Sequence, residues 1–335
     1  MYFIGIDPSA TSFTTSIYEA SQFLVKPYSC ESTTEGVIEF LDWLHSQGCT
    51  PENSVICIEN TGVYSEILLY RIEQAGWPLV IAEPIKVHRA FGLGKSKTDE
   101  LDSKKIAEYA ARYIDKLTPW QPHEAVVEQI HVLLSTREQL VGQKTALLNT
   151  RHVLGRKYIQ TPTANSSLEI VIKQLKKQIT RLEKEIDDLI KKHPTLANTV
   201  NKLMSAPGVG LLLAANLLVI TAGFKQSLNY RQLAAHLGIA PLARQSGSSV
   251  RGRSKSRGYG PPRTRKLLHL AARSLVTHVK EYQKYYARKM AQGKPKKLVL
   301  NNVANQLLRV LCSMIKNNQP YIAEFVSVNP RLLLS

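Results

Sequence analysis

The sequence is poor in cysteine, in long apolar runs and, over one stretch, in acidic residues. Its four cysteines are Cys30, Cys49, Cys57 and Cys312. They form no C-x-x-C pair, which argues against a zinc site and against a disulfide framework. No apolar run reaches the ~20 residues of a membrane span, and no basic segment precedes the apolar start of the chain. We therefore expect no signal peptide and no membrane, and the default compartment is the cytoplasm.

The scarcity of acids in one region coincides with an abundance of basic residues. Residues 241–300 hold 16 Lys or Arg and one Asp or Glu, whereas residues 1–110 hold 8 and 15. The whole chain has a formal net charge of +18. Such a basic surface attracts polyanions and releases their counterions on binding. Nucleic acid is therefore the predicted partner, and a merely soluble basic protein is the alternative.

Four acidic residues stand at the ends of predicted elements. Asp7 and Glu59 each end an apolar strand, and Asp99 and Asp102 lie three residues apart where a helix begins. Residues at this spacing share one helical face. A cluster of like charges is costly unless cations neutralise it, and hard oxygen ligands suit Mg²⁺, or Mn²⁺ in its place. The four acids therefore predict a shared metal site for phosphodiester chemistry on nucleic acid.

Each of these acids also has an ordinary structural interpretation. An acidic residue at a strand end is commonly a turn or cap residue. Asp99 competes with Thr98 for the N-cap of the helix that follows. The four acids together favour a metal site more strongly than any one of them alone, because two of the four end strongly apolar strands.

The first 118 residues are predicted to form an α/β domain. Hydrophobic periodicity indicates three strands in a meander, then a helix, a strand, a helix and a strand, which is the order of an RNase H-like sheet. A basic loop at 91–98 leads into a further helix. The predicted elements are strands near 2–6, 13–18 and 23–25, a helix at 34–47, a strand at 54–58, a helix at 65–75, a strand at 79–82 and a helix at 99–112.

Residues 119–196 are predicted to be a helical, coiled-coil linker. A long amphipathic helix occupies about 121–155, and the next helix carries apolar residues at alternating spacings of four and three, an a/d seam. The seam consists of Leu168, Ile172, Leu175, Ile179, Leu182, Ile186 and Leu189. The sequence leaves open three partners for it: the helix's own domain, an antiparallel helix of the same chain, or another chain.

Residues 197–335 are predicted to form a mostly α-helical C-terminal domain around a basic loop. Helices at 211–220, 229–237, 263–286 and 297–316 flank the Gly- and Ser-rich stretch 241–258. From composition this stretch is either a disordered linker or a functional loop, and its enclosure by helices favours the loop.

Two further features of this region have open interpretations. The turn at Gly208 and Gly210 either offers backbone N–H groups to a phosphate or is an ordinary tight turn. Tyr282, Tyr285 and Tyr286 lie in a basic helix and either stack on bases or, more commonly, pack.

Several stretches together carry a family resemblance over nearly the whole chain. G-I-D-P-S, I-E-N-T-G and K-T-D-E-L-D-S-K-K-I-A resemble the RuvC-like domain of DEDD-type insertion-sequence transposases. This group includes the Piv DNA invertases and the bridge-RNA-guided recombinases. A-P-G-V-G and A-H-L-G-I-A-P-L-A-R-Q-S-G-S-S-V-R-G resemble the C-terminal transposase domain of the same family.

The resemblance implies a recombinase whose metal-binding tetrad is formed by the four acids above. It also implies that Ser246, the serine of the R-x-S-G motif, is the nucleophile, with Ser248 and Ser249 as close alternatives. Ser103 stands where a small residue, often Ala, is expected. The predicted nucleic-acid contacts are Arg244, Arg251, Arg253, Lys255, Arg257, Arg263, Arg265, Gly208 and Gly210.

The implied partners are the DNA of element ends and target, and a structured non-coding guide RNA encoded by the element. A homodimer or tetramer is expected because recombination handles four strands, and the expected location is the bacterial cytoplasm at the nucleoid. Two rivals remain: a RuvC-like nuclease or junction resolvase that hydrolyses DNA without the serine, and a nucleic-acid-binding protein without enzymatic activity.

Overall fold

The chain forms two compact units, Met1–Pro122 and His123–Ser335, in a computed structural model. The structure describes residues 1–92, 98–122, 124–224, 229–240 and 260–323, together with the backbone of 242–246 and 250–255. We call the two units the N-terminal and the C-terminal unit. The helical segment predicted as a separate linker belongs to the C-terminal unit.

The N-terminal unit is built on a six-stranded mixed sheet in the order β3-β2-β1-β5-β6, with β4 paired to β2. Neighbours among β1 to β4 run antiparallel, whereas β1, β5 and β6 are parallel. This is the predicted RNase H-like arrangement. The strands are β1 (Tyr2–Pro8), β2 (Ser12–Glu19), β3 (Gln22–Phe23), β4 (Tyr28–Glu31), β5 (Ser54–Glu59) and β6 (Leu79–Ala82).

Helices cover both faces of this sheet. Ile4 and Ile6 of β1 pack with Phe40 and Leu68 on one face, and Cys57 of β5 packs with α4 on the other. A strand buried on both faces has to be apolar throughout, which explains the continuous apolar run of β5. The helices are α1 (Thr34–Ser46), α2 (Val63–Gln74), α3 (Pro84–Phe91) and α4 (Asp99–Tyr113).

Two elements of the N-terminal unit were missing from the prediction. Strand β4 has four residues and buries one of them, so it carries almost no hydrophobic pattern. No helix was predicted between the strand at 79–82 and the helix at 99–112, but Pro84 begins α3, because proline suits the first turn of a helix where its missing N–H is not needed. Within the predicted loop at 91–98, residues 93–97 lie outside the described residues.

Gly5 allows α4 to lie directly on β1. A Cβ atom at this position would lie 2.2 Å from the backbone nitrogen of Ala107 and 2.3 Å from the backbone oxygen of Ser103. Backbone atoms of a packed helix cannot yield as a flexible side-chain end can, so any other residue pushes α4 away from the sheet.

We expect Gly5→Ala to lower the free energy of unfolding of the N-terminal unit by about 3 kcal/mol. All three tryptophans, at 43, 77 and 120, lie in this unit, so denaturant unfolding followed by tryptophan fluorescence reports it directly. The control is Gly142→Ala in the C-terminal unit, where nothing lies within 4 Å of the added Cβ. An unchanged unfolding midpoint for Gly5→Ala would contradict the close packing.

In the part of the C-terminal unit that the structure describes, the regular elements are helices and one two-stranded sheet. Its core consists mainly of apolar residues of α7, α8, α10 and α12. The helices are α5 (Ala125–Leu154), α6 (Pro162–Lys192), α7 (Pro194–Ser205), α8 (Leu211–Ile220), α9 (Tyr230–His236), α10 (Pro262–His278), α11 (Lys280–Ala291) and α12 (Lys296–Lys316). The strands are β7 (Leu242–Ser246) and β8 (Val250–Lys255).

Helices α5 and α6 form an antiparallel hairpin. The ion pairs Arg137–Glu183, at 2.7 Å, and Arg151–Glu169, at 3.0 Å, link residues that advance along α5 while they recede along α6. The seven seam residues are buried or half-buried. The predicted seam therefore packs within its own chain, and supercoiling of the two helices stays a prediction.

Two predictions for the C-terminal unit were wrong in detail. The helix predicted over 263–286 breaks at Val279, whose backbone is extended, and the break lets Tyr282 and Tyr285 pack against the core. The stretch predicted as a loop contains the antiparallel pair β7–β8. Polar, Gly-rich strands lack the alternation by which a strand is recognised.

Helix α12 is the one helix among the described residues that is long and apolar enough to cross a membrane by length and composition. Its apolar face is formed by core residues such as Val299, Val303 and Leu307. This packing is what a central helix of a folded domain requires.

Candidate metal and recombination site

Asp7 and Glu59 lie side by side at one edge of the sheet. Strands β1 and β5 are parallel neighbours whose last paired residues are Ile6 and Ile58, so the two acids follow at the same level. Parallel neighbours lie about 4.8 Å apart and level residues point to the same face. That face is the one covered by α4. Both acids are half-buried. The register places their backbones at one level, and the shared metal site stays a prediction.

Helix α4 brings the other two acids to its first turn. Thr98 is the N-cap, because its hydroxyl oxygen accepts a hydrogen bond from the Leu101 N–H at 3.3 Å. Asp99 is therefore not needed as the cap, which settles the competition between these two residues. Asp102 follows on the same turn. Acids at this position also interact favourably with the positive end of the helix dipole.

Two contacts fix α4 over the sheet at this point. One is the approach of Gly5 to the helix backbone. The other is a buried hydrogen bond of 2.8 Å between the hydroxyls of Ser16 and Ser103. Ser103 lies next to Asp102, so it anchors the first turn of α4 to β2. Sequence reasoning missed this role, because only the fold brings residues 16 and 103 together.

Lys105 is a charged neighbour that the sequence did not single out. Its ammonium group lies 2.7 Å from a carboxylate oxygen of Asp102, one turn earlier in α4. The pair is mostly buried, with 29% of the lysine side chain and 19% of the aspartate side chain exposed. Lys105 thus supplies positive charge to the tetrad.

We expect Lys105→Ala to raise the affinity of the site for Mn²⁺ several-fold, roughly fivefold, because it removes a cation that competes for Asp102. Calorimetric titration of the purified chain with Mn²⁺ measures this affinity. Lys104→Ala is the matched control, because it removes the same charge from the neighbouring residue, whose ammonium lies over the ring of Phe23. Equal effects of the two substitutions would refute a specific role for Lys105.

The donor set of the tetrad fits Mg²⁺. Carboxylate oxygens are the hard ligands that this ion takes, and β1, β5 and the first turn of α4 bring the four acids to one side of the sheet. Among the described residues, no three Asp, Glu, His or Cys side chains already form a tight ligand group. The shared metal site therefore stays a prediction, which rests on the level placement of Asp7 and Glu59 and on the chemistry of the four acids.

Cys57 lies beneath this site but is no candidate ligand. Its burial, and to a smaller extent the charge of Glu59, raises the pKa of the thiol to about 12. The thiol therefore stays protonated at neutral pH, and only a thiolate binds metal well.

The predicted nucleophile lies on the small sheet of the C-terminal unit. Ser246 is the last residue of β7 and pairs with Val250 of β8. Arg244 and Arg251 lie on the same two strands, as do Arg253 and Lys255. Ser248, Ser249 and Arg257 lie outside the described residues.

The remaining predicted contacts differ in their surroundings. Arg263 is largely buried, with its Nε 3.8 Å from a carboxylate oxygen of Glu138, and burial lowers the pKa of its guanidinium. Arg265 is half-buried. Gly208 has a positive φ and packs against Ala271, whereas open space surrounds the Cα of Gly210 at the start of α8. A role in nucleic-acid binding stays a prediction for all of them.

Comparison with known proteins identifies the family. Residues 4–156 match a DEDD-type transposase model of IS110 elements. Residues 200–287 match the model described as "Transposase IS116/IS110/IS902 family".

Individual relatives and one solved structure are also similar. The "Pilin gene-inverting protein" of Moraxella lacunata is 27% identical over 330 residues, which are 95% of this chain and 97% of the relative. The "Insertion element IS110 uncharacterized 43.6 kDa protein" of Streptomyces coelicolor is 31% identical over 163 residues, 49% of this chain and 38% of the relative. The structure of T. thermophilus RuvC with a Holliday junction substrate matches 36% of this chain and 99% of its own, at 16% identity and a TM-score of 0.29.

The first model covers the four acids, and the second covers the β7–β8 pair that bears Ser246. This is the order that the motifs predicted. The chain belongs to the IS110/IS116 family of DEDD transposases.

Proposed function

We propose that this chain cuts and rejoins DNA strands with a metal-binding acidic tetrad and a serine nucleophile. The tetrad is Asp7, Glu59, Asp99 and Asp102, and the nucleophile is Ser246. The observation that carries the proposal is the level placement of Asp7 and Glu59 on adjacent parallel strands, with the first turn of α4 packed over the same face.

The proposed reaction is a pair of transesterifications. The Ser246 hydroxyl oxygen attacks a DNA phosphorus and loses its proton, while the bond from phosphorus to one deoxyribose oxygen breaks and that oxygen takes up a proton. The DNA is then esterified to the serine. A hydroxyl of a second strand attacks the same phosphorus, and the serine oxygen leaves with a proton. One ester bond is exchanged for another in each step, so no energy source is needed.

The tetrad and the arginines divide the work of this reaction. Bound Mg²⁺ neutralises phosphate charge and favours a deprotonated hydroxyl. Arg244, Arg251 and Arg253 hold the scissile phosphate, because a guanidinium group can donate two parallel hydrogen bonds to two oxygens of one phosphate. We propose that tetrad and serine form one composite site, within one chain or across two.

We further propose that the chain works with a guide RNA and as an oligomer. The element encodes a structured RNA that pairs with donor and target DNA, so the protein needs mainly backbone contacts, which the basic stretch 241–300 supplies. A dimer or tetramer handles the four strands in the bacterial cytoplasm, at the nucleoid. Gene inversion, the activity in the name of the Moraxella relatives, likewise requires cutting followed by rejoining.

The test is strand exchange between two differently labelled duplexes, an element end and a target. Purified protein with its co-purified RNA and Mg²⁺ is expected to yield joint strands carrying both labels, and RNase treatment beforehand is expected to abolish them. Cleaved DNA without joint strands would favour the hydrolytic nuclease. Binding with neither product would favour the non-enzymatic alternative.

A further inference from the structure

A cleft of about 490 Å³ lies in the C-terminal unit between α9, α11 and α12. All the residues that line it belong to the C-terminal unit. Its volume lies within the ~300–1,000 Å³ of sites that hold a small organic ligand. We call it the amide cleft, and its polar lining consists of Tyr230, Arg231, Tyr285, Asn302, Asn305, Gln306 and Arg309.

The charge of the amide cleft has one sign. Two arginines line it and no acidic residue does. The hydrogen bond that Arg231 donates to the Tyr230 hydroxyl, at 3.4 Å, lowers the pKa of that phenol, and the charges of Arg231 and Arg309 add to the effect. Arg231 and Arg309 line the same cleft, and two guanidinium groups there favour an anionic group such as phosphate.

Helix α12 presents a row of polar side chains to the cleft. Asn302, Gln306 and Arg309 follow one another at spacings of four and three, so they lie on one face, while the opposite face is core. Within the described part of the chain, the side-chain amides of Asn302 and Gln306 bond to no other residue. Side-chain amides in a cleft that bond to no other described residue are available for a ligand that offers both donors and acceptors.

Asn305 fixes the wall of the cleft. Its side-chain amide donates to the backbone oxygens of Ile239 and Asn301, at 2.9 and 3.0 Å. The bond to Ile239 joins α12 to the segment after α9, and Ala240 of that segment lies in the lining of the cleft. Strand β7 begins two residues later, at a Cα distance of at most about 7 Å. The amide cleft is thus built beside the hairpin that bears Ser246.

We propose that the amide cleft binds one unpaired nucleotide of a nucleic-acid strand. Arg231 and Arg309 hold its phosphate, the amides of Asn302 and Gln306 bond to the edge of its base, and the two tyrosines form the walls. Asparagine and glutamine amides match the paired donors and acceptors of base edges. A cleft of this size admits a base only when the base is out of a duplex, where its pairing edge is exposed.

This inference rests on the proposed function only for the class of ligand, and it concerns binding alone. Binding can be measured on full-length protein carrying Asp7→Asn, in which the proposed chemistry is absent. Loss of recombination and loss of cleft binding are therefore separate results.

The first experiment measures fluorescence anisotropy with a labelled single-stranded 12-mer, as DNA and as RNA, and with the same sequence as a DNA duplex. We expect Arg309→Ala to weaken single-strand binding about tenfold and to lower the salt slope by about one ion. Lys316→Ala is the matched control, because it removes the same charge from an exposed site on the same helix, outside the cleft. Equal losses in the two variants would overturn the proposal.

The second experiment measures base preference with four single-stranded homopolymers. Gln306→Ala is expected to level the affinities for the four bases while the salt slope stays unchanged. Gln232→Ala, on the exposed face of α9, is expected to leave them as they are. A preference that persists in Gln306→Ala, or a duplex that competes as well as the single strand, would overturn the proposal. A higher affinity for the RNA 12-mer than for the DNA 12-mer, or the reverse, supports the proposal and shows which of the two strands the cleft prefers.

Discussion

Asp7→Asn is expected to lower the rate of Mg²⁺-dependent strand cleavage by about 10³-fold, which corresponds to roughly 4 kcal/mol of lost transition-state stabilisation. The substitution keeps the size of the side chain and removes one charged oxygen donor from the level pair that Asp7 forms with Glu59. Asp7 lies near the end of β1, and asparagine has the same size, so we expect the sheet to be unaffected.

The measurement is cleavage of labelled element-end DNA over a range of Mg²⁺ concentrations. Asp42→Asn is the matched control, because it removes an exposed acid of the same unit on α1. We expect the control to cleave at the wild-type rate and both variants to bind DNA as tightly as the wild type. Wild-type cleavage by Asp7→Asn would contradict the metal site.

Ser246→Ala is expected to lower the formation of joint strands by at least about 10⁴-fold, the scale of removing a catalytic nucleophile. A reaction that stores the broken bond as an ester to a serine stops when the attacking hydroxyl is removed. The measurement is strand exchange between two labelled duplexes in the presence of Mg²⁺ and co-purified RNA.

Three other serines help to test this prediction: one is a control and two are the alternative nucleophiles. Ser254→Ala removes a hydroxyl from β8 of the same sheet and should leave joining intact. Ser248→Ala and Ser249→Ala decide between the serines that the motif leaves open. If one of these two abolishes joining and Ser246→Ala does not, the nucleophile has been placed on the wrong serine.

The sequence predicted the parts of the site that depend on strand ends. Apolar runs located β1 and β5, and the rule that parallel strand ends meet at one edge brought Asp7 and Glu59 together. Apolar residues at helical spacing predicted α4, and the predicted start of this helix contains the other two acids. Local pattern suffices here because two of the acids end strongly patterned strands and the other two begin a patterned helix.

The parts that the sequence did not predict depend on contacts between distant residues. The fit of Gly5 against Ala107 and the bond from Ser16 to Ser103 join residues far apart in the chain. A glycine inside a strand and a serine inside a helix carry no local signal of these roles. The amide cleft was missed for the same reason, since α9, α11 and α12 meet only in the fold.

The central claim is tested most directly by looking for the covalent intermediate. Protein, Mg²⁺, co-purified RNA and labelled element-end DNA are incubated, denatured and separated on a gel, and the peptide bearing the label is identified by mass spectrometry. We predict a labelled band at the mass of the protein that requires Mg²⁺, is absent in Asp7→Asn and in Ser246→Ala, and maps to Ser246. Cleaved DNA that depends on Asp7 but forms no such band would contradict the account and establish hydrolysis by water instead.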